Sequence, residues 1–190
     1  TLLPLTPNNL TFAIQGEPSP GADNQFLVLN PGPTIDAVTE QPTPPDAVTD
    51  LVVTSRVAVK SAPISAVELI TRINFANEVI LPMHDDGVAP DAAAGDGIYA
   101  GTIPASSYSA GDMVRWAVAA TDTQGAESRR PLVLDTSGNS QSPVYYGTVV
   151  PDPAEEAKTL PVWYWFTQNE SASHNRSGTR ASVFFNNRFY

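Results

Sequence analysis

The sequence predicts an all-β protein: an antiparallel β-sandwich carrying irregular N- and C-terminal extensions. Apolar residues alternate with period 2 in several runs of strand length, the mark of a half-buried strand. The clearest run is 113–121, where Val114, Trp116, Val118 and Ala120 share one face and Arg115, Ala119 and Thr121 the other. Eighteen prolines and twelve glycines in 190 residues work against long helices. Between the runs lie Asp- and Gly-rich stretches, which supply the positive-φ and side-chain-capped positions of tight turns.

Taken in order, residues 1–33 read as the end of a preceding β domain or as a linker. Short strands are expected at 10–14 and 26–29, separated by the breakers Gly16 to Asn24. Residues 34–150 form the sandwich unit. Within them, 35–50 hold Gln41-Pro42-Thr43-Pro44-Pro45-Asp46, expected as a semi-rigid extended spacer, so that the strands begin at Leu51. In 51–60, Leu51, Val53, Val57 and Val59 fall on one face, against Thr54, Arg56 and Lys60. In 66–75, Val67, Leu69, Ile73 and Phe75 point in, and Glu68, Arg72 and Asn74 out. Val79, Leu81 and Met83 continue the pattern. Strands at 98–103, 113–121, 126–134 and 144–150 follow, with a hairpin turn at 121–125. About seven strands at this spacing is the signature of an immunoglobulin- or fibronectin type III-like sandwich. Residues 151–190 begin a further piece.

The net charge of −10 and pI near 4.4 argue against a nucleic-acid partner, which needs clustered Lys and Arg. No run approaches the roughly 20 apolar residues of a membrane helix, so no membrane span is expected. With no Cys there is neither a disulfide nor a thiolate metal site. The first residues show no signal peptide and no initiating Met, as expected of a mature product or a fragment.

One stretch offers ligand chemistry. Residues 84–98 hold Asp85, Asp86, Asp91 and Asp96 among glycines 87, 95 and 97. Calcium takes 6–8 oxygens from carboxylates, carbonyls and water, and glycine turns let such oxygens converge. These four carboxylates are therefore the candidate Ca²⁺ ligands. The register of an EF-hand loop is missing, and the alternative is that each Asp caps a turn by accepting backbone amides. His84 reads as a strand-end residue rather than a metal ligand. No G-x-S-x-G elbow accompanies the Ser, His and Asp residues, and Glu155-Glu156 reads as a solvated connector. No catalytic residue is assigned, and the chain is not expected to be an enzyme.

Three stretches resemble known families. Pro18-Ser19-Pro20-Gly21-Ala22-Asp23-Asn24 resembles the closing segment of lamin-tail domains, which are immunoglobulin-like sandwiches. The run Asp85-Asp86-Gly87, Gly95-Asp96-Gly97-Ile98-Tyr99 and then Val114-Arg115-Trp116 through Asp122 resembles Ig-like modules of bacterial secreted and surface proteins. Leu160-Pro161-Val162 leading to Phe185-Asn186-Asn187 and Tyr190 is similar to the opening of the CotH spore-coat kinase family. That family's nucleotide- and metal-binding residues lie beyond Tyr190, so none is assigned. The resemblances imply a non-catalytic extracellular or cell-surface spacer or adhesion module, whose partners are neighbouring domains of a parent chain or other proteins. The alternatives are an accessory region of a CotH-like secreted kinase and a carbohydrate-binding module using Trp163 and Trp165 on surface glycans. Alternation puts those two tryptophans on one face and Tyr164 and Phe166 on the other, both faces to be covered by the rest of a larger domain, and an exposed apolar patch is expected where that cover is missing.

Overall fold

Thr34–Gln41, placed by sequence in a spacer, is a strand. In the computed structural model, which describes residues 30–132, 144–157, 159–176, 178–186 and 188–189, this strand, β1, pairs antiparallel with β2, Leu51–Ala58. A register shift between Asp36 and Thr39, with Ala37 at φ 48, breaks its alternation and hides it in the sequence. The chain continues through β3 (Ile64–Ile73), β4 (Val79–Pro82), β5 (Ile98–Ile103), a 3₁₀ turn (Ala105–Ser107), β6 (Met113–Asp122), β7 (Glu127–Arg130) and β8 (Tyr146–Val149). The helical turn α1 (Pro153–Glu156), β9 (Tyr164–Thr167), the turn α2 (Glu170–Ser173), β10 (Ala181–Phe185) and β11 (Arg188–Phe189) complete it. The strands expected at 10–14 and 26–29, and the lamin-tail-like residues 18–24, lie outside the described residues.

The protein is all-β. One sheet runs β1-β2-β5 and a second β4-β3-β6-β7. Strand β8 joins the second sheet on the edge of β6 that β7 also uses, pairing Val114 with Thr148 and Trp116 with Tyr146. Between the two sheets, Ile35, Leu51, Val53 and Val57 meet Val67, Leu69, Val114, Trp116, Val118 and Ala120. Trp116 is 1 % exposed and stacks at 6.5 Å on Tyr146. Its indole N–H has no hydrogen-bond partner among the described residues.

Several details of the expected facing change: Val79 is exposed at the start of β4, and Phe75, past the end of β3, lies against Arg115 on the outward side. Val59 lies beyond the end of β2 and is exposed. Ala117 and Ala119, on the outward face of β6, are buried. Small residues on a central strand are shielded by longer cross-strand neighbours, here Ile70 beside Ala117 and Glu68 and Arg129 flanking Ala119.

The chain comes in at one pole of the sandwich and leaves at the other. Asn30 donates to Asp122 at 2.5 Å and to Gln124 at 3.1 Å, at the C-terminal end of β6. Val150 exchanges backbone bonds with Gly111 and Asp112, just before the N-terminal end of β6. Ten residues of strand separate the poles by roughly 30 Å. Beyond Val150, Asp152 caps α1 through Ala154 N–H at 2.9 Å, and the Tyr164 hydroxyl bonds Glu156 at 2.9 Å. The aromatic sheet β11-β10-β9 lies against the sandwich where Phe189 covers Gly147. No helix among the described residues is long and apolar enough to cross a membrane.

Candidate functional site

The acidic loop joins the two sheets. Strand β4 ends at Pro82, Met83 is buried, and His84 forms an isolated antiparallel bridge with Ala100 of β5, with N–H···O bonds of 2.9 Å in both directions. His84 is thus the strand-end residue expected. The chain then folds back on itself before β5, with Gly87, Gly95 and Gly97 at φ 71, 74 and 80. In that region a side chain is strained, so glycine permits the reversal.

Each carboxylate of the loop holds backbone. Asp85 Oδ1 accepts from Gly95 N–H at 2.7 Å and Asp96 N–H at 3.2 Å, and its Oδ2 accepts from Gly97 N–H at 3.0 Å. Asp86 accepts from Val88 N–H at 2.9 Å, and Asp96 from Ile98 N–H at 2.8 Å. Buried Asp91 accepts from Gly87 N–H at 2.6 Å. The Gly87 amide holds its carboxyl below the usual carboxylate range, against an upward push from burial. The amides of Ala93, Ala92 and Asp86 add to the lowering.

Three of the four residues singled out in the sequence converge. Asp85, Asp91 and Asp96 each bring an oxygen within 4.8 Å of the others, and Asp86 stands outside the group. Three carboxylate oxygens can serve a hard divalent cation, with carbonyls or water completing 6–8 ligands. The same groups, through their amide bonds, can also close the loop unaided. The negative field reaches Tyr99, whose phenol is raised by burial first and then by the charge of Asp85.

No family model matches the chain, and no curated protein matches it.

The aromatic strand turns one apolar face to solvent. Trp163 and Trp165 are 61 % and 69 % exposed, the apolar patch expected of an uncovered strand. Trp163 stacks on Phe185 at 4.2 Å, while Tyr164 and Phe166 turn toward the half-buried side. The two aromatic segments pair: β9 and β10 are antiparallel, with Trp165 opposite Val183.

A second cluster was not foreseen. Arg72 and Arg115 lie directly opposite each other across β3 and β6. With Phe75, Glu78, Tyr145, Gln168 and Arg180 they line a cavity of about 260 Å³. The sequence places Arg72 and Arg115 on outward faces, but their register and the arrival of Arg180 from the C-terminal hairpin depend on long-range pairing. Charge alternation on two strands was the available signal, and it does not say which charges meet.

Proposed function

We propose that this chain is a non-catalytic spacer or adhesion module of a larger extracellular or cell-surface protein. The observation that carries this reading is the two-pole geometry: the polypeptide is fastened to the Asp122 end of β6 as it comes in and to the Asp112 end as it leaves. A domain whose two connections lie at opposite ends extends a chain of domains by its own length, whereas one whose connections lie together does not. The acidic balance suits a solvated outer surface.

The test exchanges residues 34–150, within the parent protein, for an unrelated sandwich. A replacement with ends at opposite poles keeps the presentation of the flanking domains, and one with ends at the same pole loses it. Loss with both replacements would reassign the module to specific recognition by its own surface.

Calcium belongs to this proposal in a narrowed form, with Asp85, Asp91 and Asp96 as ligands and Asp86 as a turn cap. An ion there would stiffen the connection between the sheets.

A second reading rests on the exposed Trp163 and Trp165. Their face is an apolar surface of the kind that further β-structure covers, in keeping with the resemblance of residues 160–190 to the opening of a CotH-like domain. The chain would then be the accessory region of a secreted kinase, and ATP binding by the parent protein checks it. Stacking on surface glycans is the competing use of the same face. Glycan binding abolished by Trp165→Ala would establish it.

A further inference from the structure

Arginine is unevenly distributed over this acidic chain. Arg72 and Arg115 form a cross-strand pair of like charges, an arrangement that is destabilising by itself. Arg180, from the segment leading into β10, lines the same cavity. Neither Arg72 nor Arg115 is ion-paired among the described residues. Their partners are carbonyls, rings and, for Arg72, the Tyr145 hydroxyl. Arg72 donates to Ala76 O at 2.6 Å and Phe75 O at 3.2 Å, and Arg115 donates to Asn74 O. The Arg115 guanidinium carbon stands 5.1 Å from the Phe75 ring centroid and 5.2 Å from that of Tyr145. Its Nε is buried with no partner among the described residues. The carboxylate in the lining, Glu78, accepts a hydrogen bond from the Tyr145 hydroxyl. Burial first, then the nearby charge of Arg72, brings the Arg115 guanidinium down to about 10, with Arg180 adding in the same direction. The cavity thus gathers three guanidinium groups, and its walls come from the sandwich and from the C-terminal hairpin.

We propose that this cavity binds a small oxyanion, a phosphate or carboxylate group, between Arg72 and Arg115 of the sheet and Arg180 of the hairpin. Guanidinium forks match both groups through paired N–H···O bonds. An anion there relieves the like-charge pair and links the hairpin to the sandwich, so binding stabilises the junction between them.

The experiment titrates the full chain with inorganic phosphate, and separately with acetate, against sodium chloride at equal ionic strength. Calorimetry reads binding and thermal melting reads stability. The expected result is saturable binding of at least one oxyanion and a melting temperature above the chloride control. Arg72→Gln and Arg180→Gln should each weaken binding about tenfold or more, the effect of removing a charged hydrogen-bonding partner. Arg176→Gln, an exposed arginine outside the cavity, should leave it unchanged. Binding of phosphate alone identifies a phosphate site, and binding of acetate alone a carboxylate site. Arg180→Gln keeps the question open to a clear answer if Arg72→Gln fails to fold. The proposal is overturned if neither anion exceeds chloride, or if binding persists undiminished in the folded Arg180→Gln protein.

Discussion

Asn30 donates to Asp122 Oδ2 at 2.5 Å across 92 residues of sequence, and this bond fastens the incoming chain to the last residue of β6. Asp122 is buried and also accepts from Gln124 and Ala126 N–H at 2.9 Å each. Burial pushes its carboxyl up. The hydrogen bonds of Asn30, Ala126, Gln124 and Gly125 outweigh that and hold it below the usual range. A carboxyl depressed in the folded state stabilises above its unfolded value of about 3.9 and loses that contribution as pH falls through the folded value. The melting temperature should therefore drop as pH is lowered below about 4. Asp122→Asn should melt lower than wild type at neutral pH and show a flatter acid limb. Equal acid limbs, by calorimetry, would remove Asp122 from this role.

Trp116 fills the middle of the core at 1 % exposure. Trp116→Ala should cost roughly 3–5 kcal/mol in denaturant unfolding, because the cavity collapses only in part. Trp116→Phe should cost clearly less, since it keeps a ring beside Tyr146 and removes an indole N–H that has no partner among the described residues. Equal costs would mean that the indole N–H is satisfied.

For the acidic loop, the melting temperature should rise with millimolar Ca²⁺ and fall with chelator. An ion that binds only the folded state adds about 2.7 kcal/mol at a hundredfold excess over Kd. Asp96→Asn should blunt the response, and Asp86→Asn should not, because Asp86 stands outside the converging group. Identical melting curves for metal-free and Ca²⁺-loaded protein would leave the amide bonds as the whole explanation of the loop.

These sites differ in how openly the sequence shows them. Strands β2, β3 and β6 are visible because Leu51, Val53, Val67, Leu69, Val114, Trp116 and Val118 keep strict alternation against a single core. Strand β1 is not, since the shift at Ala37 flips the facing halfway along and a proline-rich stretch follows at once. The acidic loop is legible because its chemistry is local: an Asp and the amides it holds lie within about a dozen residues, as Asp85 and Gly97 do. Which carboxylates converge is set by the fold of the loop, and Asp86 drops out there. The arginine cavity is a long-range object. Arg72 meets Arg115 through strand register, and Arg180 arrives from a separate hairpin.

The contact between the sandwich and that hairpin can be loosened at one position. A Cβ on Gly147 would stand 2.9 Å from Phe189 Cε2 and 3.1 Å from Arg115 Cγ. Gly147→Ala should therefore displace Phe189 at a cost of about 1 kcal/mol, the low end for overpacking because a side chain can yield. Limited proteolysis should cut within residues 151–190 sooner in the variant, with the sandwich left intact. Unchanged cutting would show that Phe189 does not hold the hairpin down.

The two-pole geometry is tested most directly by single-molecule pulling. With handles at Asn30 and Val150, the load runs along β6 and shears β1 against β2 and β8 against β6, so many cross-strand hydrogen bonds resist together. With handles at Asn30 and Gln124, both at one pole, β1 peels away one pair at a time. The expected result is an unfolding force several-fold higher for the first arrangement. Equal forces in the two arrangements would contradict a module that carries load between opposite ends.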